Sequence, residues 1–172
     1  DNGNSLTLTG VSITAGISKP TPVVFSPDPL CNPLPANTFH GEIVICNRGG
    51  NARLEKSFNV AQAGASGMIL RNLQVQDVET DNHFVPTVHL DGPAGDQLVA
   101  FMNAHTGVTA TFTQGEPTQV KGDVMAAFSS RGGPGQYIGV SKPDVTAPGV
   151  QILAGNTPLP DEATGGLPGQ LF

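Results

Sequence analysis

Tryptophan is absent and Tyr137 is the single tyrosine, so eight phenylalanines and the aliphatic residues must build any core. Charge is scarce as well: eight Lys and Arg against fourteen Asp and Glu give a net charge of −6. The cations (Lys19, Arg48, Arg53, Lys56, Arg71, Lys121, Arg131 and Lys142) are scattered. No basic stripe exists to release counterions from a phosphate backbone, which excludes nucleic acid as an expected partner. No run approaches the roughly 18 apolar residues of a membrane helix, so no span is expected. Neither an initiator methionine nor a signal peptide is seen, and Asp1 is expected to open a segment of something longer.

What the chain does have is turns. Among 172 residues, 22 are glycine and 15 are proline. That composition favours short strands and loops over a helical bundle. With 38% hydrophobic residues there is enough apolar material for one core.

Leu6, Leu8, Val11 and Ile13 alternate around Thr9-Gly10, a strand-turn-strand pattern with one buried face. Six prolines between residues 19 and 37 force extended or turned chain, with room for a short Val23–Phe25 strand. Gly41–Cys46 is the clearest strand, β-branched and ended by Asn47-Arg48-Gly49-Gly50. A helix is expected next, capped by Asn51, with Leu54, Phe58, Ala61 and Ala65 on one face and Gly67 as its left-handed terminator. Met68–Leu70 reads as a buried strand, residues 72–84 as a polar loop, and Val85–Leu90 as a strand near a sheet edge, given Pro86. Asp91 caps a second helix over about residues 93–105, with Leu98, Phe101, Met102 and His105 on one side. Gly107 ends it, and Val108–Thr113 is an alternating strand.

The order predicts an α/β (α+β) unit over about residues 20–115, a small bent sheet flanked by two helices. Val124–Phe128 reads as one more short apolar strand, followed by a loop-rich C-terminal tail poor in apolar residues from Gly155 to Gln170.

Two motif sets carry a family resemblance. Phe128-Ser129-Ser130-Arg131-Gly132 followed by Lys142-Pro143-Asp144-Val145-Thr146-Ala147-Pro148-Gly149 resembles the stretch that precedes the nucleophilic serine of subtilisin-like serine proteases, the subtilases. Gly41–Gly49, Ala61–Leu70 and Val85–Val88 resemble the "GKIVLC-x-RG", "A-x-x-AGA-x-G-x-I" and "iP-x-v" stretches of the protease-associated (PA) domain. In subtilases a PA domain is often inserted between the oxyanion-hole Asn and the nucleophilic Ser. The resemblance therefore implies lead-in strands of the catalytic domain over residues 1–19, a PA domain with an open barrel-like fold over 20–116, and a partial catalytic-domain segment over 117–172. One departure is local: the family usually has Arg-Gly-Pro where Arg131 is followed by Gly132-Gly133-Pro134, and the additional glycine permits a different turn.

A Ser-His-Asp triad needs a base within reach of the nucleophile and an acid behind it. The subtilase triad blocks (Asp-Thr/Ser-Gly, His-Gly-Thr-His and Gly-Thr-Ser-Met-Ala) are all missing. Asp91-Gly92 and His40-Gly41 read as a helix cap and a turn, and Ser129 and Ser130 as framework residues. No catalytic residue is expected in this chain.

Subtilases often bind calcium, and Asp77, Glu79 and Asp81 alternate with His83 nearby. An EF-hand loop would want Gly and Glu at its sixth and twelfth positions, where Asn82 and Val88 stand, so a solvated acidic loop is the better reading. Asp144 reads as a loop-anchoring carboxylate. His40, His83, His89 and His105 show no ligand spacing and read as surface or half-buried histidines. No cofactor is expected here, and calcium belongs, if anywhere, to the parent enzyme.

Cys31 and Cys46 are the only cysteines. In the secreted context implied by the resemblance they form either a disulfide or two buried free thiols. The bridge is the preferred reading, because the proline-rich loop around Cys31 has little else to hold it.

The functional expectation is a non-catalytic PA domain of a secreted serine endopeptidase, shaping access to the active site, contacting substrate, partners or the missing catalytic domain, or supporting oligomerisation. The alternative is an independent peptide- or glycan-binding module.

Overall fold

The computed structural model describes residues 4–130, 143–150 and 152. Five strands and two helices follow one another: β1 (Ile17–Phe25), β2 (Ile43–Asn47), α1 (Arg53–Gln62), β3 (Gly67–Arg71), β4 (Thr87–Leu90), α2 (Gly92–Ala104) and β5 (Thr109–Phe112). They form one curled sheet in the order β4-β3-β2-β1-β5. β2, β3 and β4 are parallel, and β1 joins them through Val23–Phe25. β5 runs antiparallel against β1.

Parallel strands with both faces covered read as unbroken apolar runs, and β2 and β3 are such strands. Alternation across the pleat splits their side chains into two cores. Val44, Cys46, Met68 and Leu70 point to one side, where Val60 and Ala63 of the α1 region, Phe39 and Cys31 cover them. Ile43, Ile45 and Ile69 point to the other, with Val23, Leu90 and Leu98 of α2. The expected bent sheet between two helices is therefore what forms.

Several local expectations are corrected. Residues 6–13 do not make two strands. Val11 forms an isolated antiparallel bridge, exchanging backbone hydrogen bonds of 3.0 and 2.9 Å with His89. Thr14 continues the seal: its hydroxyl accepts from Thr87 N–H at 2.8 Å and donates to Thr87 C=O at 3.1 Å. Gly10 lies against the backbone of β4, where a Cβ would stand 2.7 Å from the His89 oxygen. The alternating apolar residues thus belong to a segment laid along the edge of β4, with Leu8 packed on the second core and Ile13 exposed.

α1 starts after Ala52 with no side-chain cap, because Asn51 turns its Oδ1 toward Lys56. Its buried face is Leu54, Ser57 and Val60 with Lys56 and Asn59, not the Phe58, Ala61 and Ala65 face read from spacing. The helix ends at Gly64, not Gly67. Gly64 has φ +98°, its N–H donates to Ala61 C=O at 3.0 Å, and Ala65 N–H donates to Val60 C=O at 2.9 Å. Those two bonds are a Schellman terminator. Gly67 opens β3 instead, where a Cβ would come within 2.6 Å of Ile17 Cδ1. Val124–Phe128 forms no strand: among the described residues no ladder reaches it, and Val124, Met125 and Phe128 are exposed.

Cys31 and Cys46 are joined as a disulfide, both fully buried. It staples the proline-rich loop to the underside of β2.

Candidate functional site

The carboxyl ends of β2, β3 and β4 lie side by side, the edge where open parallel sheets gather their functional groups. Residues 72–84, which follow β3, fold back across this edge. Asn72 is completely buried and acts as the hub. Its amide donates to Gln76 C=O at 3.2 Å, Asp77 C=O at 3.4 Å and Asp91 Oδ1 at 3.1 Å. Its Oδ1 faces His89 Nε2 at 2.8 Å and Arg48 Nη1 at 3.5 Å.

Two arginines hold the middle of the loop. Arg48 donates to Asp77 C=O at 2.6 Å and lies 3.6 Å from Glu79 Oε2. Arg53, on the first turn of α1, meets Glu79 at 2.5 Å and grips Asp81 at 2.6 and 3.0 Å. His83 Nε2 is 3.8 Å from Asp81 Oδ2, while its Nδ1 is buried without a partner. His89 Nδ1 lies 2.9 Å from Glu79 C=O and 3.3 Å from Glu79 N–H.

Burial works against the Asp81 carboxylate, but the Arg53 hydrogen bonds and charge outweigh it and hold the pKa below the usual range. Burial pushes His83 down to about 4 against the pull of Asp81, and Arg53 and His89 add to the effect. His89 is lowered for the same first reason, opposed by its contact with Glu79 and reinforced by Arg48 and Arg53. Asp91 is held low by the Asn72 amide, Gln76 N–H and Gly92 N–H.

A second polar centre lies beneath the disulfide loop. Lys56 is fully buried, and its ammonium donates to Leu30 C=O at 2.6 Å, Gly49 C=O at 2.8 Å and Asn51 Oδ1. Burial lowers its pKa to about 8. Asn59 donates to Cys31 C=O at 3.0 Å, and the Asp28 carboxylate accepts from Leu30 N–H and Asn32. The loop around Cys31 is therefore held by polar contacts as well as by the disulfide.

The expected solvated acidic loop is corrected: Asp81 is 7% exposed and Glu79 18%, and both face guanidiniums. His89 is likewise buried, at 1% exposure. Asp91 occupies the N-cap position of α2 as expected, but its carboxylate turns to Asn72 and Gln76 and makes no side-chain capping bond. His40 engages the Glu42 carboxylate through its backbone N–H, and His105 stacks on Phe101 with ring centroids 4.1 Å apart.

Of the subtilase-like framework, Phe128 and Ser130 are exposed, and Ser129 N–H closes a turn on Ala126 C=O. Pro143, Asp144, Ala147, Pro148 and Gly149 lie on exposed irregular chain. Arg131, Gly132 and Lys142 fall outside the described residues. Sequence reading missed Arg48, Arg53, Lys56 and Asn72 as a polar framework. The only signal was the Asp77, Glu79, Asp81 alternation, whose partners lie 28 residues away in the case of Arg53 and Asp81.

Chemically, the cluster is a clamp. The carboxylates of Glu79 and Asp81 face arginines, that of Asp91 faces Asn72 and Gln76 N–H, and the histidines are engaged by the same loop. Outward, the loop presents Leu73 (53% exposed) and Val75 (75%).

Comparison with known proteins matches residues 19–98 to the PA domain family. The chain is 39% identical over 171 residues to subtilisin-like protease SBT1.4 of Arabidopsis thaliana, covering 90% of this chain and 22% of that protein. It is 35% identical to subtilisin-like protease SBT1.6 of the same plant, covering 93% and 24%. With subtilisin-like protease SBT5.4 it shares 38% identity, covering 73% and 16%. The chain thus spans a quarter or less of the length of these curated relatives.

Proposed function

The chain belongs to the subtilisin-like proteases and carries their PA domain, and from that premise we propose that it is a non-catalytic contact module of a secreted serine endopeptidase. On this reading residues 20–116 are the PA domain, while residues 1–19 and 117–172 belong to the catalytic domain around it. Peptide-bond cleavage is then the work of the parent enzyme, through Asp, His and Ser outside this chain. The module shapes substrate access or holds a protein partner.

The observation that carries the proposal is a division of labour. The Glu79 and Asp81 carboxylates of the 72–84 loop are engaged inward, by Arg48 and Arg53, so they are unavailable as reagents. Leu73 and Val75, on the same pinned loop, are offered to solvent. Rigidly presented apolar side chains are what a docking surface needs, because little ordering entropy is lost on contact. The buried Cys31–Cys46 disulfide supports the secreted setting, since structural disulfides persist in oxidising compartments.

The test is steady-state proteolysis by the full-length enzyme carrying Leu73→Asp and Val75→Asp. Turnover of a short chromogenic peptide is expected to be unchanged, while kcat/KM on a folded protein or long peptide changes severalfold. Equal effects on both substrates, or none on either, would end the proposal.

A further inference from the structure

The 72–84 loop is attached in an unusual way. At one end Asn72 N–H extends the ladder to Leu90 C=O at 2.9 Å. At the other, Phe84 N–H donates to Ser57 Oγ at 3.2 Å and the Phe84 ring meets Phe58 edge-on at 5.2 Å. Between these points the backbone is fastened to the body by side chains. Gln76 N–H reaches Asp91, Asp77 C=O reaches Arg48, and Glu79 reaches His89. We propose that residues 77–84 are an acid-releasable strap, clamped across the carboxyl ends of β2, β3 and β4 only while His83 and His89 are uncharged. Release leaves the five-stranded sheet folded and uncovers Arg48 and Arg53.

The hydrogen-bond pattern sets the protonation of His89. Asn72 Nδ2 already donates to three acceptors, so the Asn72 oxygen must accept, and His89 Nε2 carries the proton. Nδ1 is then bare and accepts from Glu79 N–H. A second proton on Nδ1 exchanges the 3.3 Å bond from Glu79 N–H for one to Glu79 C=O at 2.9 Å, so what opposes it is the charge itself, placed at a site 1% exposed beside Arg48 and Arg53. His83 is worse placed for charge. Its side chain is 4% exposed, and a proton on its partnerless Nδ1 would have no acceptor.

The charged groups facing this pair are Arg48 after β2, Arg53 on α1, Glu79 and Asp81 on the strap, and Asp91 at the start of α2. With neutral histidines, two guanidiniums meet two strap carboxylates, and the Asp91 carboxylate is held by amides. Two imidazolium charges beside Arg48 and Arg53 break that balance. Because no ladder bond among the described residues holds the strap, it is the element that yields first.

The experiment is amide hydrogen exchange of the 172-residue chain between pH 7.5 and 5, corrected for the intrinsic pH dependence of exchange. Peptides covering 77–84 are expected to lose protection by about tenfold or more below about pH 6, while those covering β2 and β3 keep theirs. His83→Phe and His89→Gln are expected to weaken that pH dependence. Imidazole nitrogen shifts, read on the native chain, are expected to show both rings neutral at pH 6.5 with His89 protonated on Nε2. The proposal is overturned if protection of 77–84 ignores pH, if strap and sheet open together, or if either ring is an imidazolium at pH 6.5. Should the variants fail to fold, the exchange pattern and imidazole shifts of the native chain decide alone.

Discussion

Arg53 and Asp81 meet through two hydrogen bonds of 2.6 and 3.0 Å, joining the first turn of α1 to a loop 28 residues downstream. The pair is the bolt of the cluster, since Arg53 also holds Glu79. Replacing Arg53 by Ala leaves the carboxylate of Asp81 buried and unpaired, a loss of about 3 to 5 kcal/mol for a buried pair. Asp81→Asn keeps a hydrogen-bond acceptor and should cost less. Urea denaturation of both single variants and the double variant measures this. A double variant no better than the sum of the singles would show that the two residues do not depend on each other.

Acid should destabilise the fold through His83. His83 has a native pKa of about 4 against 6.5 in the unfolded chain. Between those values the unfolded state binds more protons, so stability rises with pH and falls on acidification. The shift corresponds to about 3 kcal/mol once pH is below the native value. Asp81 acts in the same sense, because its lowered pKa gives stability above the unfolded value that is lost as pH falls through the folded one. Urea midpoints at pH 7 and 5 should differ in the native chain and differ less in His83→Phe. Equal midpoints in the native chain would refute the assignment.

The disulfide closes a loop across a sequence separation of 15. In the chain-entropy treatment such a bridge contributes roughly 3 kcal/mol. Cys31→Ala with Cys46→Ala should lower stability by about that amount, with two 0% exposed positions losing packing as well. Because Asn59, Lys56 and Asp28 also hold this loop, the sheet is expected to remain folded. Circular dichroism with thermal melting tests both statements.

Two glycines with positive φ should respond differently to alanine. At Gly64, φ is +98° and a Cβ would lie 2.3 Å from Phe39 C=O, so Gly64→Ala must move the backbone. At Gly107, φ is +66° with nothing within 4 Å, leaving only the left-handed penalty. Gly107→Ala is expected to cost about 1 to 2 kcal/mol and Gly64→Ala clearly more. Chemical denaturation ranks them, and equal losses would mean that the close approach to Phe39 carries no weight.

Particular residues show how far local pattern reaches. The unbroken apolar run of β2 and the alternation of β5 each followed from their periodicity. Pro86 correctly put β4 at a sheet edge, and the Gly41–Leu70 motifs pointed to the PA domain. The helix face of α1 was misread because Lys56, Ser57 and Asn59 are polar yet buried, each satisfied by partners that no short window contains. The helix terminator was placed at Gly67 instead of Gly64 for a related reason. Gly64 stands two residues past the end of α1 and Gly67 opens β3, and the approach of Phe39 and Ile17 tells them apart.

The sequence by itself determined the five strands and two helices that form (though not the strands expected at residues 6–13 and 124–128), the family, and the absence of a basic stripe or long apolar span. Those are local properties, written in periodicity, composition and short motifs. Tertiary structure alone decided that Val11 and Thr14 seal β4, that Lys56 and Asn72 are buried hubs, and that Asp81 and Glu79 are gripped by arginines. Each rests on contact between residues far apart in the chain. Its energy depends on desolvation and geometry that exist only once the sheet has brought the partners together.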